Sequence, residues 1–237
     1  MMEKSFTDAF DKNFAAIEEK MAIACAYAGK RREDVHLLAA TKTVSPELIN
    51  YSITKGIKYI GENRVQEFLS KEDKLLPDAH RHFIGHLQTN KAKDIVGRVE
   101  MIQSVHSVKL ANLIGKLSRE RQITTDILLE VNIGREENKS GFLREELDEV
   151  IEKISDIDGI KLKGLMAIPP ICEKNSEIIA YFEEMYKLFV DNRPKKIDNV
   201  SMEYLSMGMS GDFEEAIKCG SNIVRIGSAL YGQRIYK

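Results

Sequence analysis

The chain has 237 residues, 43% hydrophobic and 30% charged, with 35 basic against 37 acidic side chains and a formal net charge of -2. That length and apolar content suit one large α/β domain, and the charge balance gives neither a basic footprint for nucleic acid nor a field that would hold a membrane surface. Cys25, Cys172 and Cys219 are widely spaced and form no CxxC or Cys/His pattern, which excludes the usual zinc and disulfide frameworks.

The N-terminus lacks the basic start and apolar run of a secretory signal, and no run reaches the length of a bilayer span. The expected location is the cytoplasm, and the expected partners are small molecules rather than nucleic acid or membrane.

In chain order, Phe6, Phe10, Phe14, Ile17, Met21 and Cys25 mark a helical stripe that Gly29 can end. Such a stripe packs a helix onto the body of the protein, with an interaction helix as the alternative. Residues 35–41 read as a buried strand that runs into Lys42. Ser45, Pro46 and Glu47 then start a helix over 46–54. Further strands are expected at 57–61, 81–85, 101–105, 125–131, 163–168 and 222–227, with a seventh ending at Tyr204 and Leu205. Between them lie helical patterns at 65–76, 88–96, 108–121, 145–154, 177–190 and 212–219. Pro169 and Pro170 cannot continue a ladder and stop the sixth strand.

Eight strand-then-helix units in this length predict a single (β/α)8 TIM barrel. Residues 1–30 form an extra N-terminal helix laid on it and 31–237 the barrel, one structural domain overall. A doubly wound open sheet would use fewer strands and would want a glycine fingerprint after the first, which the sequence lacks.

In such barrels the chemistry sits at the C-terminal ends of the strands, and phosphate is often held after strands seven and eight. Lys42 ends the first strand. An ammonium there is costly to desolvate, so its pKa is expected to fall toward the neutral amine that attacks a carbonyl cofactor. The plain alternative is a lysine that snorkels to solvent. The stretches Ser206-Met207-Gly208-Met209-Ser210-Gly211 and Gly227-Ser228 join approachable backbone N–H groups to hydroxyls suited to an oxyanion, and Ser210 reads as an N-cap for the 212–219 helix. Glycine and serine are also ordinary turn residues.

Arg225 lies inside the last strand on the face of Ile223 and Gly227. If that face looks into the barrel, its guanidinium needs an acceptor: Glu130, Glu203, or an aromatic nitrogen of a ligand. Asn63, just past the second strand, fits a ligand contact or a helix N-cap equally. No residue set has metal-ligand spacing, and none is read as catalytic.

Lys42, the two glycine-serine stretches and an internal Arg225 together resemble a pyridoxal phosphate barrel of the alanine racemase type. The segments ATKTVSPELI (40–49), GENRVQE (61–67), HFIGHLQTNK (82–91), NKSGF (138–142), GLMAIPP (164–170), LSMGMSGD (205–212) and RIGSALYG (225–232) are similar to the YggS/PROSC family of pyridoxal phosphate homeostasis proteins. Gly211, where that family often carries an acid, and Ser228, where threonine is common and has the same hydroxyl, depart from its pattern without changing the expected cofactor.

The resemblance implies fold type III of the pyridoxal phosphate proteins and a residue for each part of the ligand. Lys42 would hold pyridoxal 5'-phosphate as a covalent aldimine, a Schiff base. Ser206, Met207, Gly208, Gly227 and Ser228 would hold the phosphate, Arg225 would face the pyridine nitrogen and Asn63 would line the ring. An arginine there disfavours protonating the nitrogen, because two cations would meet, and leaves the ring a poorer electron sink.

The resemblance therefore implies a non-catalytic protein of intracellular vitamin B6 homeostasis, with dependent apoenzymes as recipients of the cofactor; without the racemases' second domain, a monomer is the default expectation. The alternative is an amino acid racemase on the same barrel. Racemisation needs acid and base groups on both faces of the α-carbon, and no tyrosine or cysteine presents itself for the second face. The sequence also ends soon after Gly227-Ser228, leaving no room for the β-rich second domain that racemases use. A barrel with a structural lysine and another phosphorylated ligand is a third reading, set aside by the number of matching segments.

Overall fold

Short apolar strands separated by amphipathic helices can bury both strand faces by closing a parallel sheet inside a ring of helices. The computed structural model, which describes residues 4–193 and 197–232, has that architecture: eight parallel strands form a closed barrel in sequence order. The strands are β1 (His36–Ala40), β2 (Tyr59–Glu62), β3 (His80–Phe83), β4 (Met101–Val105), β5 (Thr125–Val131), β6 (Ile160–Ala167), β7 (Val200–Met209) and β8 (Ile223–Ile226). The α-helices are α1 (Lys4–Tyr27), α2 (Pro46–Thr54), α3 (Val65–Lys71), α4 (Val108–Glu120), α5 (Leu147–Ser155), α6 (Asn175–Asn192), α7 (Phe213–Lys218) and α8 (Ser228–Tyr231). β8 closes the barrel against β1, with Leu38 opposite Arg225 and Ala39 opposite Ile226.

Local chemistry sets the helix starts. Ser45 accepts from the Leu48 N–H at 3.4 Å with Pro46 in the first turn of α2, and Ser107 accepts from the Leu110 N–H at 3.2 Å at the start of α4. α1 packs against α7 and α8, and its Phe10, Ile17 and Met21 join Phe213, Val224 and Ile226 in one outer core.

Several bounds differ from expectation: α3 stops at Lys71 with a 3-10 turn after it and β6 begins at Ile160, and two further differences are larger. The 88–96 segment is a 3-10 helix over Thr89–Asp94 rather than an α-helix. Ala92, inside it, and Ile95, which ends it, are both fully buried. β7 runs on to Met209 instead of stopping at Leu205, because Ser206 and Met209 pair with Ile223 and Arg225 of β8 across a register shift. Much of the expected phosphate loop is therefore strand.

The barrel interior has small apolar clusters, Leu38, Ala40, Ile84 and Ile223 in one and Met101, Leu128 and Met166 in another. His82, Gln103, Ser206 and Arg225 share that interior and are buried. Polar groups so placed need partners.

Candidate functional site

Lys42 follows β1 at the C-terminal rim and is half-buried. The turn that carries it is held from below. The Thr41 hydroxyl donates to Glu62 Oε1 at 2.8 Å, and the Thr41 N–H donates to the Gly61 carbonyl at 2.9 Å. Lys71 Nζ donates to the Thr41 carbonyl at 2.9 Å, to Glu62 Oε1 at 2.9 Å and to Glu67 Oε1 at 2.7 Å. Glu67 also accepts from the Thr43 N–H. Thr43 has φ 65, a left-handed conformation that a β-branched residue rarely adopts. Strain of this kind persists where surrounding bonds over-determine the backbone. Burial pushes the Glu62 carboxyl up, while Lys71 and Thr41 pull it down.

Because β8 lies beside β1, Gly227 emerges next to Ala40: a Cβ on Gly227 would lie 3.3 Å from the Ala40 carbonyl oxygen. The N–H groups of Gly227 and Ala229 both donate to Ser210 Oγ, each at 3.2 Å. Ser210 is thus not the N-cap of α7. Asp212 holds that place, and its Oδ1 accepts from the Met209 N–H at 2.6 Å. Ser206 turns its side chain into the barrel and Met207 turns outward into the core beneath the helices, so neither side chain enters the cradle. Gly208 has φ 93, and a Cβ on it would come 2.5 Å from the Ala216 methyl; only glycine lets β7 pass α7 this closely. Gly227 and the exposed Ser228 stay at the rim beside Lys42.

Arg225 is 5% exposed and faces the barrel interior. Its Nη1 donates to Ser206 Oγ at 2.6 Å and its Nη2 to the Ala167 carbonyl at 2.8 Å. Neither Glu130 nor Glu203 hydrogen-bonds to it; Glu203 pairs with Lys163 at 2.8 Å. Burial lowers Arg225 to about 10, with Asp212 and Glu130 acting the other way, so it remains a cation at neutral pH. Beyond it, Ser206 donates to Gln103 Oε1 at 2.7 Å, and Gln103 Nε2 lies 2.8 Å from His82 Nδ1.

Burial holds His82 down at about 3 against an ordinary 6.5. Between those values the unfolded chain binds a proton that the folded one refuses. Stability from this residue is therefore complete above pH 6.5 and falls toward pH 3, by at most about 1.4 kcal/mol per pH unit. Urea unfolding at pH 7 and pH 4.5 is expected to show a smaller loss on acidification for His82→Phe than for the parent; an equal loss would rule out this ring as the titrating group.

Asn63 is not an N-cap, since Arg64 occupies that position of α3. Its Oδ1 is buried and has no hydrogen-bond partner among the described residues. The end of β3 presses on it: a Cβ on Gly85 would lie 2.0 Å from the Asn63 carbonyl oxygen. Glu130 Oε2 is likewise buried and unpaired, and burial raises that carboxyl against the pull of Arg225. The NKSGF segment returns to the barrel, with Phe142 donating to the Glu130 carbonyl at 2.8 Å, and Ser140 lies 2.9 Å from His86, which stacks on His106.

The structure therefore brings Lys42, Asn63, Arg225, Gly227 and Ser228 to consecutive strand ends, β8, β1 and β2. It adds residues that sequence reading passed over: Lys71 and Glu67 under the lysine turn, the Ala229 N–H in the cradle, and Gln103 and His82 behind Arg225. Polar residues at inward positions of otherwise apolar strands are the signal that marks the last two.

The sequence model of the alanine racemase N-terminal domain family matches residues 8–235. The chain is 42% identical over 226 residues to the pyridoxal phosphate homeostasis protein of Aquifex aeolicus, covering 95% of this chain and 98% of that one. It is 32% identical to the Escherichia coli protein of the same name, over 94% of this chain and 96% of that one. Among solved structures, PipY of Synechococcus elongatus with PLP bound is similar at a TM-score of 0.79 and 28% identity, covering 91% of this chain and all of that one. An alanine racemase from Clostridium difficile shares the fold at a TM-score of 0.73 and 14% identity, covering 97% of this chain and 61% of that one.

Proposed function

The chain belongs to the family of pyridoxal phosphate homeostasis proteins, on the barrel of the alanine racemase N-terminal domain, and from that premise we propose that it holds pyridoxal 5'-phosphate through Lys42 and serves its homeostasis rather than its catalysis. The residues fit the group. An amine, two converging backbone N–H groups and a buried guanidinium occupy neighbouring strand ends, and the unpaired Oδ1 of Asn63 lies one strand further on. That arc is the observation that carries the reading.

When bound, the cofactor supplies an aldehyde carbon and a ring able to accept electrons. Lys42 offers the amine that bonds to the aldehyde. The Gly227 and Ala229 N–H groups, which now donate to Ser210, would hold the phosphate together with Ser228, and Gly208 lets the chain pass close beneath. Asn63 lines the ring. Arg225, a cation at neutral pH, would face the ring nitrogen, where a second positive charge is disfavoured. The names of the curated relatives, 42% and 32% identical over nearly the whole of both chains, favour the homeostasis reading over a racemase. We place the protein in the cytoplasm as a monomer that passes the cofactor to apoenzymes. Its three cysteines are free, as in a reducing compartment, and none of the helices in the described residues is long and apolar enough to cross a membrane.

The test is to load the protein with pyridoxal 5'-phosphate, reduce it with borohydride and locate the label by mass spectrometry. One pyridoxyl group on the Lys42 peptide is expected. Label on another lysine would overturn the assignment, and no label would overturn covalent capture. Interconversion of D- and L-alanine is expected to stay at background; turnover at about 1 s⁻¹ or faster, the ordinary enzymatic range, would establish the racemase instead.

A further inference from the structure

The polar side chains inside the barrel admit one consistent set of donors and acceptors. Arginine has no acceptor atom, so Ser206 Oγ must accept from Arg225 Nη1. The Ser206 proton then goes to Gln103 Oε1. That orients the amide, and its Nε2 donates to His82 Nδ1. His82 is neutral and so carries its proton on Nε2. It also lines a cavity of about 150 Å³ at the N-terminal mouth of the barrel, with Tyr59, Asp126 and Tyr204. Four strands thus contribute one directed chain of hydrogen bonds, from β8 through β7 and β4 to β3, and each member is no more than 5% exposed.

Buried amides and hydroxyls are costly unless fully paired, and the barrel does not need them here, since Leu38, Met101 and Leu128 fill neighbouring interior positions. The chain does one thing for the site: it determines where the Arg225 cation stands. The Ala167 carbonyl holds one edge of the guanidinium and Ser206 the other. Ser206 can present a fixed lone pair only while its proton has a fixed acceptor.

We propose that Gln103 is a positioning residue for Arg225, acting through Ser206 to fix the guanidinium against the ring nitrogen of the bound cofactor. This rests on the reading of Lys42 and Arg225 given above. It places control of the nitrogen's protonation in an amide two hydrogen bonds away.

Four variants test it, each loaded with pyridoxal 5'-phosphate: Gln103→Leu, Gln103→Glu, Ser206→Ala and the double variant Ser206→Ala/Gln103→Leu. Leucine keeps the bulk and removes the acceptor, whereas glutamate keeps an oxygen for Ser206. Gln103→Leu is expected to bind the cofactor about tenfold more weakly, the size of one lost hydrogen bond to a charged network. Its visible absorption band should also titrate with pH where the parent's does not. Gln103→Glu should restore both properties. The double variant should be no weaker than either single one, because the two residues act through one link. An unchanged affinity and spectrum in Gln103→Leu would make the amide merely structural and overturn the proposal. Should Gln103→Leu not fold, Ser206→Ala removes a single oxygen, and an unchanged spectrum there overturns it equally. Failure of the parent protein to take label on Lys42 would strike the underlying reading instead, so the two failures are distinguishable.

Discussion

Lys42→Ala is expected to abolish covalent capture of pyridoxal phosphate: no label after borohydride, no yellow band, and a cofactor lost on dialysis. Of the groups gathered at the rim, only an amine can form a bond to the aldehyde carbon that reduction renders permanent. The remaining contacts, the Gly227 and Ala229 N–H groups and the Arg225 cation, still offer a phosphate and a ring somewhere to rest. Residual binding is therefore expected, weaker by about a hundredfold or ~2.7 kcal/mol. The fold is expected to survive, because Lys42 lies outside β1 and its turn is secured by the backbone of Thr41 and the side chain of Lys71. Melting temperature and cofactor retention measured on the same sample separate the two effects. A reducible band that persists in the alanine variant would move the attachment to a different lysine.

The barrel was legible in the sequence because the signals that specify it are local. Ser45 and Pro46 announce α2, and the apolar runs at 101–105 and 125–131 coincide with β4 and β5. Position along the strands was enough to bring Lys42, Asn63, Arg225 and Gly227 to one rim, since in a parallel barrel every strand's C-terminus emerges on the same side. What the sequence could not show is direction across strands. Ser206 reads as a loop hydroxyl until β8 pairs with it; pairing makes it strand, and the strand's alternation turns it inward to Arg225. Ser210 reads as a cap for the helix that follows, but its hydroxyl is drawn instead to N–H groups beyond β8 in the chain. Glu67 and Lys71 have the spacing of an ordinary surface pair, and only the fold reveals that Lys71 is buried against the carbonyl of Thr41.

Lys71→Met is accordingly expected to cost far more than a surface ion pair would. The Lys71 and Glu62 side chains are 8% and 3% exposed, and the ammonium serves three acceptors at once. Removing one member of a buried pair leaves the other charge uncompensated, at a cost of about 3–5 kcal/mol. Glu62 already sits above the usual carboxylate range through burial, and without Lys71 it would rise further. The sign of the pH dependence follows: the variant's deficit is largest where Glu62 must ionise or bind a proton taken from neutral solution, and it shrinks as acid supplies that proton. Urea unfolding is expected to show a larger difference from the parent at pH 7 than at pH 5. Glu62→Gln combined with Lys71→Met should recover part of the loss, because a neutral amide no longer needs the ammonium. The same variant loosens the support under Thr41 and Thr43, so the Lys42 turn loses the restraint that holds Thr43 at φ 65, and capture of the cofactor is expected to slow even at temperatures where the protein remains folded. A deficit below about 1 kcal/mol, the size of an exposed pair, together with unaltered capture, would show that the turn stands without this network.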